Sequence, residues 1–444
     1  MMNRGRYRTP SPLISRTSTV LFDSIADLRA AVADAETGDR WSSTYGTLST
    51  PTTAELEEIL LAGEGGAGVA LSPSGLAAIT IAFLTVVRAG DHVLVTDSCY
   101  GPARAFCDDV LAGLGVDVEY YDPLIGAGIG ALIRPATSLI WLESPGTHTF
   151  EVQDVPAITA AAREATAARA SAGLDRPVVT AIDNTWASPG LLRPFELGCD
   201  ISAVALTKYW GGHGDVLAGA TFANAALLPA VRQTAERLGM CTNGEDAFLV
   251  IRGARTVDMR IRACGAAGLS LAQRLAGHPR VGRVLHPGLP SDPGFALWRR
   301  DFTGASGLFA FELLAANGSR ASAADVDGFT DRLAALRHFG LGYSWGGFES
   351  LVMPARWSGV KRVARSWAGG ELIRLHAGLE PVETLWADLE AALAGCQAAP
   401  WAGARGPAPI AALTHAWVTS RVGVQRSDGR LRLRLANRAA AVAS

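Results

Sequence analysis

Two amines stand out in a chain whose cations are otherwise guanidinium groups: of 40 basic residues only Lys208 and Lys361 are lysine. Arginine serves as well wherever a solvated cation is enough, but only lysine can shed its proton and attack a carbonyl carbon. Lys208, which follows Thr207 at the end of an apolar run, is therefore a candidate nucleophilic amine, with a solvated strand end as the plain alternative. The ends of other short apolar runs carry further reactive types. Ser72-Pro73-Ser74-Gly75-Leu76 opens a helix whose first N–H groups would face an anion such as phosphate. Tyr100, the pair Glu143 and Ser144, and Asp183 close three more runs. Each has an ordinary structural use, Asp183 as a turn former or cap and Tyr100 as half-buried packing. One ligand would use them jointly: an amine to form an imine, a carboxylate to pair with a protonated ring nitrogen, an aromatic ring to stack, and a helix start for phosphate. Those are the requirements of pyridoxal phosphate. Composition and spacing leave that reading open beside four unconnected structural roles.

The elements that must position these groups are legible as alternation. Apolar runs at 69–71, 92–96, 116–121, 138–142, 177–182 and 201–206 are separated by helix-length segments. That alternation implies βα units and a mostly parallel sheet, and unbroken hydrophobicity in the runs implies helices on both faces. Ligands in such sheets bind outside the carboxyl ends of the strands, where the residues above fall. A helix is expected from near Thr52, with Thr52-x-x-Glu55 as a capping box and Leu56, Ile59 and Leu60 as its apolar face. The Ala-rich stretch 160–173 reads as a surface helix, and 247–275 as one long helix leading to a second domain with a strand at 308–314 and a helix at 323–338. The expected fold is α/β: a three-layer sandwich around a mostly parallel sheet, plus a smaller α+β C-terminal domain. The divisions are an arm at 1–50, a cofactor-binding domain at 51–252, a C-terminal domain at 253–396 and a tail at 397–444 with one short strand or helix.

Composition excludes several classes. The 444 residues suggest about three packing units of roughly 150 residues, enough for a large core. A net charge of −2 argues against a nucleic-acid binder, and no apolar run is long enough to span a bilayer. The N-terminus has no apolar signal region, and the six scattered cysteines form no C-x-x-C pair, so reduced thiols in the cytoplasm and no metal site are expected. Gly63, Gly65 and Gly68 match G-x-G-x-x-G, but a helix precedes them and a strand follows, the reverse of a dinucleotide site. They read as a helix stop.

At the same residues the sequence resembles a known family. Ser72 to Ala77, Asp122-Pro123-Leu124-Ile125-Gly126, Leu142-Glu143-Ser144-Pro145-Gly146, Asp183-Asn184-Thr185-Trp186-Ala187, Thr207-Lys208-Tyr209, Gly212-His213-Gly214-Asp215, Arg300-Asp301-Phe302-Thr303-Gly304 and Tyr343-Ser344-Trp345-Gly346-Gly347 are similar to motifs of the pyridoxal-phosphate enzymes of cysteine and methionine metabolism. These enzymes share the fold of the aspartate aminotransferase type. The likeness runs from about Tyr45 to Leu393. It implies that Lys208 binds the cofactor covalently, that Asp183 pairs with its ring nitrogen, that Tyr100 stacks on the ring and serves catalysis with Lys208, and that Gly75, Leu76 and Thr207 hold the phosphate. Tyr45 would reach the partner subunit's phosphate, which implies a homo-oligomer, a dimer of dimers with sites at the subunit interface. Arg374 would grip the substrate carboxylate, with Ser344 and Trp345 beside it.

Ser-Trp-Gly-Gly-x-Glu-Ser at 344–350 resembles the β-lyase branch rather than the γ-lyases and γ-synthases. This implies β-elimination from L-cystathionine or a related S-substituted cysteine. Two residues after Tyr45 the family commonly carries an arginine where this chain has Thr47, and Ala377 replaces a bulkier residue. Alternatives are γ-chemistry on the same cofactor and a non-catalytic protein keeping the fold.

Overall fold

The computed structural model describes residues 10–174, 176–355 and 362–395, together with two strands further on. Lys361 and Cys396 lie outside the described residues.

Seven strands form the first sheet: β1 (Gly68–Ser72), β2 (His92–Thr96), β3 (Asp117–Tyr121), β4 (Thr137–Glu143), β5 (Val179–Asp183), β6 (Ile201–Ala205) and β7 (Gly219–Ala223). Their order is β1-β7-β6-β5-β4-β2-β3. The ladders from β6 through β5, β4 and β2 to β3 are parallel, and only β7 runs antiparallel to its neighbours. Sequence reading foresaw the parallel strands but not β7, whose Gly-Ala-Thr-Phe-Ala lacks a β-branched run. Gly219 is required there because a Cβ would stand 2.1 Å from the Ser74 carbonyl oxygen.

Helices cover both faces. On one lie α2 (Pro51–Glu64), α5 (Val155–Ser171) and α7 (Gly244–Ala254), packed on Val69, Leu94, Ile140, Ile182 and Val204. On the other lie α3 (Gly75–Val86), α4 (Gly101–Ala105) with its irregular continuation, and α6 (Leu228–Arg237), packed on Ala70, Val93, Trp141, Ala181 and Ala203. Strand residues of alternate parity feed the two clusters, as a pleated sheet requires. The expected three-layer α/β sandwich is present.

A second sheet, ordered β10-β11-β12-β9-β8, contains β8 (Val281–Leu285), β9 (Leu308–Leu313), β10 (Phe339–Leu341), β11 (Ser350–Ala355) and β12 (Leu372–His376). It shares an apolar cluster with α8 (Val257–Ala276), α10 (Ala323–Ala335) and α11 (Val382–Leu393), and α9 (Phe295–Asp301) lies before β9. Residues 398–444 form a separate unit containing an antiparallel hairpin of β13 (Val422–Ser427) and β14 (Arg430–Leu435), two strands where one element was expected.

Three local expectations are corrected. Helix α2 is capped by Thr50, whose box partner is Thr53, with Pro51 in the first turn. Thr52 instead donates to the Leu13 carbonyl at 2.7 Å and accepts from the Ser15 N–H at 2.8 Å, tying down the arm. The long helical pattern breaks at Arg255 and Thr256, because Gly253 packs with its Cα against the carbonyls of Trp210 and Gly211 and the chain must turn to follow the second sheet. The arm holds a helix, α1 (Ile25–Glu36), capped by Ser24 and burying none of its residues within this chain. The glycine stop is as expected, with Gly65 at φ +90° ending α2.

Thr50→Ala should cost about 1 kcal/mol in denaturant unfolding and leave the Ser15 amide protected from exchange. Thr52→Val should expose that amide while α2 keeps its protection; a protected Ser15 amide in Thr52→Val would contradict this anchoring.

Candidate active site

Close backbone approach brings the ends of β1, β5 and β6 together. A Cβ on Gly75 would lie 2.4 Å from that of Ala205, so a glycine here lets the start of α3 press against the end of β6. Ser74 caps the helix by accepting from the Ala77 N–H at 3.1 Å. The N–H groups of Gly75 and Leu76 lie in the first turn, where a helix offers them no acceptor. Thr207, just past β6, exchanges hydrogen bonds with the Ala218 backbone at 3.2 and 3.3 Å.

Lys208 donates from Nζ to Ser344 Oγ at 2.7 Å, and Nζ stands 5.5 Å from the Trp345 ring. Burial pulls its pKa down to about 8, the Arg374 guanidinium pushes the same way, and Asp183 partly opposes them. The Asp183 carboxylate at the end of β5 is buried and accepts from the Thr185 N–H at 2.9 Å. Burial raises its pKa, while the Thr185 bonds and the Lys208 charge resist. Tyr100 follows β2, 43% exposed, and its phenol is raised by burial and by Asp183 and Glu143. Arg374 on β12 donates to the Ser344 carbonyl at 3.2 Å.

The second sheet delivers Ser344 and Trp345 through a tight turn. Ser344 (φ +77°) and Gly346 (φ +82°) both take the left-handed conformation. A Cβ on Gly346 would meet the Tyr209 nitrogen at 2.9 Å and the Lys208 carbonyl carbon at 3.1 Å, so the turn sits on the backbone of the lysine itself. His376, two residues past Arg374 on β12, accepts from the Gly346 N–H at 3.1 Å and packs edge-on to Tyr209. Burial holds its pKa down at about 4, so the ring is neutral.

The structure thus gathers Lys208, Asp183, Tyr100, Ser344, Trp345 and Arg374, with Gly75, Leu76 and Thr207 at the adjoining helix start. Tyr45 stands elsewhere, bridged to Thr19 and 48% exposed, in a segment that Arg40 ties to buried Glu57. His376 and Thr185 had no role in the sequence reading; the two-residue step from Arg374 was the available sign for His376, and the Asp-Asn-Thr turn for Thr185.

Residues 2–394 match the family model described as Cys/Met metabolism PLP-dependent enzyme. The chain belongs to that family. It is 47% identical over 388 residues to a putative cystathionine beta-lyase of Rhizobium johnstonii, covering 87% of this chain and 92% of the relative. It is 38% identical over 402 residues to cystathionine beta-lyase MetC of Escherichia coli, covering 89% and 97%. Among solved structures, cystathionine gamma synthase of Xanthomonas oryzae pv. oryzae superposes with a TM-score of 0.74 at 29% identity, over 86% of this chain and 92% of the other.

The cofactor of the family, pyridoxal phosphate, fits the donor set: an amine that loses its proton near neutrality, a buried carboxylate, an aromatic ring, and a helix start narrowed by Gly75.

An amine brought from 10.5 to about 8 is charged in both folded and unfolded chains below pH 8, so folding there bears the full cost of the buried charge. Between about 8 and 10.5 only the unfolded chain keeps the proton, so the cost fades and stability rises with pH. In the cofactor-free protein, the acylation rate of Lys208, followed by peptide mass, should titrate with a midpoint near 8. A midpoint at the ordinary lysine value would contradict the desolvated placement.

Proposed function

We propose that this chain is a PLP-dependent carbon–sulfur lyase that cleaves L-cystathionine, or a related S-substituted cysteine, by β-elimination to a thiol, pyruvate and ammonia. The observation that carries the choice of β-elimination is Trp345, whose ring stands 5.5 Å from the Lys208 amine and edge-on to Tyr209 at 5.7 Å, a bulky wall beside the reacting centre. A shared cofactor leaves reaction choice to pocket shape. The relatives named cystathionine beta-lyase, at 38–47% identity, support the same choice. The second reading, γ-elimination or γ-replacement, draws on the solved γ-synthases, whose identity is lower at 29–30%.

In this reading Asp183 would hold the ring nitrogen, Tyr100 the ring face, and Gly75, Leu76 and Thr207 the phosphate, using the free N–H groups at the start of α3. When bound, pyridoxal phosphate would supply an electron sink for the charge that develops at the substrate's Cα. Arg374 holds the substrate α-carboxylate through its planar fork. Lys208, steadied by Ser344, would remove the proton from Cα as general base. The Cα–H electron pair forms the Cα–Cβ double bond, and the Cβ–S pair leaves with sulfur as a thiolate, which takes the proton that Lys208 removed. The enamine, once free, hydrolyses with one water to pyruvate and ammonia.

The proposal includes the division into domains at 51–252 and 253–396 with a tail beyond, which the two sheets support. It also includes a homotetramer, built as a dimer of dimers with shared sites. Support comes from the arm, which leaves Leu13, Leu21, Ile25 and Val32 between 42% and 89% exposed, and from half-exposed Tyr45. Thr47, where the family commonly has arginine, lines a small cavity with Arg40 and Arg232, both paired with Glu57. Free thiols at all described cysteines suit a cytoplasmic setting.

Lys208→Ala should abolish turnover and the visible imine absorbance. A substrate panel of cystathionine, cysteine, methionine and homoserine derivatives should release pyruvate from cystathionine. Production of 2-oxobutyrate alone would replace the β-lyase reading with the γ one.

A further inference from the structure

We infer that Glu143 is a positioning residue that fixes Tyr100 over the cofactor by clipping together the two loops that rise from β2 and β4. This rests on the reading of Tyr100 as the stacking ring and adds what holds that ring in place. Tyr100 is 43% exposed, so packing alone does not fix its direction.

Glu143 is the last residue of β4, 7% exposed, beside Asp183 in the parallel register with β5. Its Oε2 accepts the Tyr100 backbone N–H at 2.6 Å, and its Oε1 accepts the Thr147 hydroxyl. The same two loops meet again where the Thr147 N–H donates to the Ser98 carbonyl at 2.8 Å, and where a Cβ on Gly146 would stand 2.4 Å from that of Ser98. Tyr100 is also the hinge into α4, because its carbonyl accepts the Arg104 N–H at 3.0 Å. One carboxylate therefore sets both where the ring leaves the sheet and where the next helix starts.

The Tyr100 N–H can only donate, so Glu143 must offer it an oxygen, whereas the Thr147 hydroxyl can donate or accept. Burial and the Asp183 charge push the Glu143 pKa well up, while the Thr147 and Tyr100 bonds resist, and the clip is kept in either protonation state because one oxygen still faces the Tyr100 N–H. Glutamine keeps both contacts by turning its oxygen to the Tyr100 N–H and its NH2 to the Thr147 hydroxyl, whereas leucine, of similar size, offers the N–H no acceptor. Aspartate keeps the carboxyl group but falls one methylene short of Tyr100.

The test compares cofactor-loaded variants by visible circular dichroism without substrate, by amide exchange in the peptide containing Tyr100, and by kcat/KM. Tyr100→Phe should keep the wild-type dichroism and Tyr100→Ala should lose most of it. Glu143→Gln should keep the wild-type band and exchange, whereas Glu143→Leu and Glu143→Asp should both lose at least half of the band and raise Tyr100 amide exchange. Each of the latter two should lower kcat/KM about tenfold, the size of one buried hydrogen bond. Wild-type dichroism and exchange in Glu143→Leu, with loss in Tyr100→Ala, would overturn the inference. So would wild-type behaviour of Glu143→Asp, since reach would then not matter. If Glu143→Leu does not fold, Glu143→Asp and the exchange rate of the Tyr100 amide in the wild-type protein decide, an unprotected amide overturning it. Unchanged dichroism in Tyr100→Ala would instead show that the stacking assignment itself fails.

Discussion

An ammonium group gains nothing from leaving water to sit beside a guanidinium, and that unfavourable placement of Lys208 is what the rest of the site is built around. Desolvation and Arg374 both work against its charge, and Asp183 restores only part of what is lost. The amine is left close to the point where it can exchange its proton at neutral pH, the condition for a nucleophile and general base. A guanidinium could not substitute, because it does not give up its proton in this range.

Holding that amine requires backbone approaches of a kind side chains would block. Gly75 lets the start of α3 reach β6, Gly219 lets β7 pass under Ser74, and Gly346 seats the second sheet's turn on the lysine backbone. From the other side, β12 contributes Arg374 and His376 from one face, the first bonded to the Ser344 carbonyl and the second to the Gly346 N–H. The two sheets thus share one job: the first presents the amine and the carboxylates at its strand ends, and the second closes over them with a hydroxyl, an indole and a fixed positive charge.

The parallel strands were legible because burial on both faces writes itself as continuous apolar runs, and the reactive residues were legible because they stop those runs. What escaped was whatever long-range contact decides. β7 is short and small-residued, so its strand character comes from pairing with β1 and β6 rather than from propensity. The break after Ala254 reflects Gly253 packing on the loop after Lys208, a contact more than forty residues away in sequence that periodicity cannot see. The true cap of α2, Thr50, lies two residues before the Thr52 of the Thr52-x-x-Glu55 pattern, because Thr52 is engaged by the arm. At the site, Lys208, Asp183, Tyr100, Ser344, Trp345 and Arg374 lie together; strand ends pointed to Lys208, Asp183 and Tyr100, and family likeness alone to the other three. Tyr45 does not join them within this chain, where it is bridged to Thr19.

The most direct test is to find which amine carries the cofactor. Borohydride reduction of the loaded protein, followed by digestion and mass mapping, fixes the bond irreversibly in one of only two lysine-containing positions. If the desolvated amine is the anchor, the mass of reduced pyridoxal phosphate will appear on the peptide containing Lys208 and nowhere else. A label on Lys361, or none on either lysine, would contradict it.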